Sequence, residues 1–215
     1  MTTAPMMPAC KPTVNAVGIG SSAWFGDMAG KRFGVILADP PWAYDCTSPT
    51  AANYETLDGD SNPAGISHYY DTMTAEQIAA MPVREIAEEN SVLFLWATNP
   101  LMPEAFAVLK AWGYKYKTLL TWEKENGKGM GYWFRGVTEH CLLGVRGDVK
   151  AFRSPIKNLI RNKVGRHSAK PEQMHEIIES VTQGMERVEL FARLHRPRWT
   201  AWGNQVERDL LSPNK

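Results

Sequence analysis

From Phe33 onward the apolar positions gather into short runs separated by helical repeats. "FGVILA" (33–38), "SVLFLWA" (91–97), "YKTLLTW" (116–122), "TEHCLLGV" (138–145), "RVELFA" (187–192) and "TAW" (200–202) have strand length. Near-continuous apolar runs of this kind fit strands buried on both faces of a sheet. Between them, Thr74 followed by Gln77 predicts a capped helix over 74–81. Leu101, Ala105, Val108, Leu109 and Trp112 recur at helical spacing over 101–112 before a stop at Gly113. A further helix opens at Pro171 and a last one at about Asn204, whereas the basic stretch after "TEHCLLGV" reads as irregular. The alternation predicts an α/β fold, a mostly parallel sheet with helices on both faces. Residues 1–30 read as a loosely structured leader and 31–215 as a single domain.

Two connections are long for a compact domain, 43–70 and 123–136, and such loops are more often functional than idle. Both follow strand ends, which brings them over one edge of the sheet. The first carries Tyr44, Asn53, Tyr54, His68, Tyr69 and Tyr70, and the second Tyr132, Trp133 and Arg135. Aromatic side chains on loops suit a flat ligand that is stacked.

The run 33–38 ends on "ADPPW", which puts Asp39 at the carboxyl end of a strand, where open α/β sheets bind ligands. Pro40 and Pro41 cannot extend the ladder and send the chain out in a fixed direction. The Asp39 carboxylate and the Pro40 carbonyl are two neighbouring acceptors, which match the two hydrogens of an aromatic amine, and Trp42 offers a π face for a planar base. Acceptors that pull the amino hydrogens of adenine out of plane localise the nitrogen lone pair toward an electrophile held about 3 Å away. The competing reading is an ordinary Asp-Pro turn with a buried Trp.

Composition narrows the partners. A net charge of +1 with 44% hydrophobic residues describes an ordinary globular protein rather than a wholly basic nucleic-acid binder. No apolar stretch approaches the ~20 residues that span a bilayer, and the N-terminus lacks a secretory pattern, so a cytoplasmic protein without membrane association is expected. Cys10, Cys46 and Cys141 suit neither a disulfide framework nor a zinc site, and His68, His140, His167, His175 and His195 show no paired-ligand spacing; no metal is expected.

The runs "ADPPWAY", "HYYDTMTAEQI", "LFLWATN", "WGYKYKTLLTWEK", "TEHCLLGVRG", "RHSAKPEQMHEIIE" and "VELFARLHRPRWTAWGNQ" together resemble the MT-A70 family of adenine methyltransferases, over roughly residues 33–205. The resemblance implies a Rossmann-like class I methyltransferase fold in the β-class (permuted) motif order, with S-adenosyl-L-methionine as cofactor. It implies that Asp39, Pro40, Pro41 and Trp42 form the catalytic motif, that Asp39 is also one of the cofactor-binding residues, and that Lys170 holds the cofactor's carboxylate. It further implies that Glu189, Phe191, Arg193 and His195 grip the ribose and its surroundings, that Asn204 and Gln205 make the last ribose and adenine contacts, and that Glu139 and His140 border the target-adenine pocket. The residues are suited to this: a strand-end Glu189 can meet a ribose diol, and a cation beside a helix N-terminus can seat a carboxylate. Taken singly, Lys170 is equally a solvated lysine, Glu189 and Arg193 an ion pair, His195 a surface histidine and Asn204 an N-cap. The chain departs from the family's pattern at Ala192, where many relatives carry Gly, and offers only Asp27 of "WFGD" where several place an acidic upstream strand.

From Val149 to Pro171 stand Lys150, Arg153, Lys157, Arg161, Lys163, Arg166 and Lys170 without an acid, a pattern suited to phosphate contacts. With Tyr44, Tyr69, Trp133 and Arg135 these cations are the candidate contacts to nucleic acid around a flipped or unpaired adenine. Without an appended RNA-binding region, the resemblance favours DNA as substrate over RNA. The remaining alternative is a noncatalytic nucleic-acid-binding subunit, against which the intact motif and cofactor positions argue. A monomer or homodimer, with a related subunit as a possible partner, is expected.

Overall fold

The computed structural model describes residues 24–28, 30–43, 72–127, 134–165, 169–203 and 206. Among the described residues seven strands, β1 (Phe33–Ala38), β2 (Ala87–Ala97), β3 (Lys115–Lys124), β4 (Thr138–Arg146), β5 (Leu159–Asn162), β6 (Arg187–Leu190) and β7 (Thr200–Trp202), form one sheet in the order β5-β3-β4-β2-β1-β6-β7. β1 pairs in parallel with β2 and β6, β3 with β5, and β6 with β7, whereas β4 runs antiparallel to both β2 and β3. This is the mostly parallel α/β sheet the apolar runs predict. The reversed β4 has a positional consequence: its first residues lie at the edge where the other strands end.

The period of two sorts the core into two layers. Ile36, Ala38, Leu93 and Leu95 face α1 (Ala75–Ala79) and α2 (Met102–Ala111), where Ile78, Ala105, Val108, Leu109 and Trp112 pack. Val35, Leu37, Val92, Phe94 and Trp96 face α3 (Gln173–Val181) through Met174 and Ile178. Helices therefore cover both faces. The Thr74–Gln77 capping box forms as the sequence predicts, Gln77 N–H donating to Thr74 Oγ1 at 3.2 Å and Thr74 N–H to Gln77 Oε1 at 2.8 Å. At the end of α2, Gly113 takes φ +85° and its N–H bonds to the Lys110 carbonyl, a glycine stop.

Several boundaries differ from expectation. β2 begins at Ala87, because the polar Glu88, Glu89 and Asn90, all exposed, extend the strand without an apolar signal. β6 ends at Leu190 because Phe191 turns at φ +63°. The stretch 149–171 is not wholly irregular: β5 lies within it, and with only Ile160 of its four residues buried it carries almost no apolar signature. Within the stretch expected to be a loose leader, Phe25 and Met28 are buried in the core and Trp202 Nε1–H donates to the Trp24 carbonyl at 2.9 Å, while residues 1–23 lie outside the described residues. The expected helix from Asn204 lies almost wholly outside the described residues.

Candidate active site

Asp39 follows β1 directly, and its backbone is fixed by the turn that the two prolines dictate. Trp42 N–H donates to the Pro40 carbonyl at 2.9 Å and Met73 N–H to the Pro41 carbonyl at 2.8 Å, pinning the turn to the segment before α1. Across β6, Leu37 pairs with Glu189 and Ala38 with Leu190, so the ends of β1 and β6 lie side by side. The neighbouring Phe191 holds a left-handed backbone that a bulky side chain rarely adopts, a strain of about 1–3 kcal/mol of the kind found at functional sites. Ala192 is not among the positive-φ residues, so the side chain at this departure from the family's pattern meets no backbone strain.

Four charged side chains meet at this edge. Lys170 Nζ lies 2.8 Å from Asp39 Oδ1 and 2.8 Å from Oδ2, and 3.3 Å from Glu139 Oε2. Lys124, the last residue of β3, donates to Glu139 Oε1. Two carboxylates and two ammonium groups leave the cluster formally neutral. Its floor is aromatic: Lys170 Nζ stands 5.5 Å from the Trp96 ring centroid, Lys124 Nζ 5.3 Å from that of Trp122, and the two indoles meet edge to face at 6.3 Å. Burial pulls the Lys170 ammonium down, but Asp39 and Glu139 outweigh it and leave its pKa raised. Burial likewise pushes Glu139 up, and Lys170 with Lys124 more than reverse this, so its carboxyl sits below the usual range.

One expectation for the motif is corrected and another narrowed. Trp42 offers no free π face: it is 6% exposed, and its Nε1–H donates to the Trp96 carbonyl at 3.0 Å. The Pro40 carbonyl already accepts from Trp42 N–H, which leaves one lone pair for a ligand. The Glu139–His140 pair is also divided, because consecutive strand residues face opposite sides. Glu139 joins the cluster, whereas His140 shares a hydrogen bond of 3.0 Å with Thr121 Oγ1, and burial lowers its pKa.

Around the end of β6, Glu189 Oε2 lies 2.9 Å from His175 Nε2, Phe191 meets Trp202 edge to face at 5.6 Å, Arg193 is half-buried and His195 exposed. The basic stretch is less uniform than its sequence. Lys170 belongs to the buried cluster and Arg161 pairs with Glu123 at 2.9 Å across β3 and β5, whereas Lys150, Arg153, Lys157 and Lys163 are exposed, as is Arg135. Tyr44, Tyr69, Trp133, Arg166, Asn204 and Gln205 lie outside the described residues, as do Asn53, Tyr54, His68, Tyr70 and Tyr132 and the side chain of Asp27. The sequence reading missed Lys124, Trp96 and Trp122 as site residues; Trp96 and Trp122 stand at or next to the end of an apolar strand run, the same signal that singled out Asp39, and Lys124 lies two residues beyond one.

The family profile of MT-A70 matches residues 33–205. The chain belongs to the MT-A70 family. It is 29% identical over 195 residues to the human N(6)-adenosine-methyltransferase catalytic subunit METTL3, covering 85% of this chain and 30% of that protein. Against the type II methyltransferase M.MunI of Mycoplasma sp the identity is 28% over 191 residues, covering 85% of this chain and 81% of that one. An Arabidopsis thaliana N(6)-adenosine-methyltransferase MT-A70-like protein is 29% identical over 190 residues, which cover 24% of it. The chain thus spans about a quarter to a third of the length of the N(6)-adenosine-methyltransferases it matches. MT-A70 methyltransferases use S-adenosylmethionine as methyl donor. The donor set at this edge suits that molecule, with an ammonium for its carboxylate and a strand-end carboxylate for its ribose hydroxyls. Among the described residues no helix is long and apolar enough to cross a membrane, and no three His, Cys, Asp or Glu side chains group as metal ligands.

Proposed function

We propose that this chain methylates the 6-amino group of adenine in DNA. The observation that carries the reading is the meeting of Asp39, Lys170 and Glu139 at the carboxyl edge of the sheet, on the two-proline turn of an MT-A70 chain. The bound cofactor supplies an electrophilic methyl group. Lys170 pairs with its carboxylate, and Glu189, Phe191, Arg193, His195, Asn204 and Gln205 surround its ribose and adenine. Asp39 and the remaining lone pair of the Pro40 carbonyl accept the two amino hydrogens of the target base, and Asp39 takes the proton that nitrogen gives up. Glu139 closes the side of the base pocket nearest Lys170, and its charge is held by Lys124. Positioning and electrostatics do the work, without a covalent enzyme intermediate.

Relatives acting on both nucleic acids match the chain at similar identity, 28% for the type II methyltransferase M.MunI and 29% for METTL3, so DNA is the reading put to the test and RNA its alternative. Lys150, Arg153, Lys157 and Lys163, with Arg135, supply phosphate contacts, and the loop aromatics Tyr44, Tyr69 and Trp133 stack around the extruded base. We place the protein in the cytoplasm as a monomer or homodimer. The test is transfer of labelled methyl from S-adenosylmethionine to matched single-stranded DNA, double-stranded DNA and RNA, followed by nucleoside mass spectrometry. Label in 6-methyl-deoxyadenosine is the expected result; label in RNA alone overturns the choice of DNA.

A further inference from the structure

His175 lies on α3 with its ring enclosed on every described side. The side chain is 10% exposed, the ring meets Trp199 edge to face at 5.2 Å, and Trp199 is itself tied to the same helix one turn on, its Nε1–H donating to Glu179 Oε1 at 2.8 Å. Only one ring nitrogen has a partner: Nε2 lies 2.9 Å from Glu189 Oε2, and Nδ1 is buried without one. A Phe or Leu would fill this space without orphaning a polar atom. The orphan is tolerable if Nδ1 keeps the lone pair, since a buried N–H without an acceptor costs more, and this leaves Nε2–H as the donor to Glu189.

We infer that His175 is a positioning residue for cofactor binding: by holding Glu189 Oε2 it fixes the orientation in which that carboxylate receives the ribose hydroxyls. The inference rests on the assignment of Glu189 to the ribose made above. Glu189 is one residue from the end of a four-residue strand, two positions before the strained Phe191, and its partly exposed side chain has several rotamers open to it. A rigid donor on the facing helix supplies that restriction and shortens the list of conformations lost on binding.

The experiment measures calorimetric dissociation constants of wild type, His175→Phe, His175→Leu, His175→Gln and Glu189→Ala. The probes are S-adenosylhomocysteine and its 2′-deoxy and 3′-deoxy analogues, with thermal unfolding to show that each variant folds. The expected result is about tenfold weaker binding of S-adenosylhomocysteine by the apolar variants, a loss that shrinks for the analogue lacking the hydroxyl Glu189 takes, and partial rescue by the amide of His175→Gln. Equal losses for all three probes mean that His175 only packs, and overturn the inference. If Glu189→Ala weakens binding while the folded apolar variants do not, the role of His175 alone falls. If Glu189→Ala binds as wild type, the assignment of Glu189 falls and this inference with it.

Discussion

Lys170 Nζ bridges both carboxylate oxygens of Asp39 at 2.8 Å, although 131 positions separate the two residues. The residue proposed to seat the cofactor and the residue proposed to polarise the target amine are thus one electrostatic unit. A ligand carboxylate that engages Lys170 competes with Asp39 for its three hydrogens, which couples the two halves of the site.

Lys170→Met is expected to weaken cofactor binding and also to destabilise the fold, since Asp39 and Glu139 lose a shared, largely buried cation. Lys124 still holds Glu139, so the stability loss is on the order of 1–3 kcal/mol rather than that of a wholly orphaned charge. Urea unfolding and calorimetry with S-adenosylhomocysteine read the two effects. Unaltered cofactor affinity with weakened DNA binding would mean that Lys170 contacts phosphate instead.

The same cluster shapes the pH dependence of stability. Glu139 is depressed below its ordinary 4.5, so its contribution is present above that value and is lost as pH falls through the lowered pKa. Lys170 is raised above 10.5, so its contribution is present below that value and is lost as pH rises through the raised pKa. The difference in unfolding free energy between wild type and Glu139→Gln should be flat near neutrality and change on the acid side, as Glu139 loses its charge, and on the alkaline side, where Glu139 helps to keep the proton on Lys170. A difference that varies near neutrality would contradict the ion-pair assignment.

Trp42→Phe tests whether this indole stacks on a base or supports the turn. The buried Nε1–H to Trp96 carbonyl bond predicts a loss of about 1–3 kcal/mol in stability from the unpaired carbonyl, with little change in affinity for the target base once the variant is folded. Full stability combined with a large rise in KM for DNA would restore the stacking role.

Replacing Lys150, Arg153, Lys157 and Lys163 together by Gln should reduce the salt dependence of DNA binding by about 0.9 in log–log slope for each side chain that reaches a phosphate, and leave cofactor affinity unchanged. Arg161→Gln alone should do little, since its guanidinium is engaged with Glu123. An unchanged slope would move the phosphate path elsewhere.

The sheet was legible because β1 and the buried half of β2 are apolar on both faces, and Asp39 was legible because two prolines end a strand in only one way. β5 was hidden, since an edge strand with one buried residue carries no periodic signal. Lys124 and the division of Glu139 from His140 depend on β4 running against its neighbours and on the pairing of Trp122 with Glu139, which are facts of register rather than of sequence. His175 was seen only as a histidine without metal-ligand spacing; its bond to Glu189 needs α3 to be laid over β6. The burial of Trp42 was open from sequence, because an indole after a turn packs inward or outward according to what the next segment covers.

Asp39 is assigned to the target amine, while most of the hold on the cofactor falls to other residues. The most direct test of this assignment compares wild type and Asp39→Ala for methyl transfer to an adenine-containing duplex and for binding of S-adenosylmethionine in the same preparation. A fall in transfer of about 10²–10³ or more, with cofactor binding still measurable, is expected. Turnover at the wild-type rate by the folded variant would contradict it.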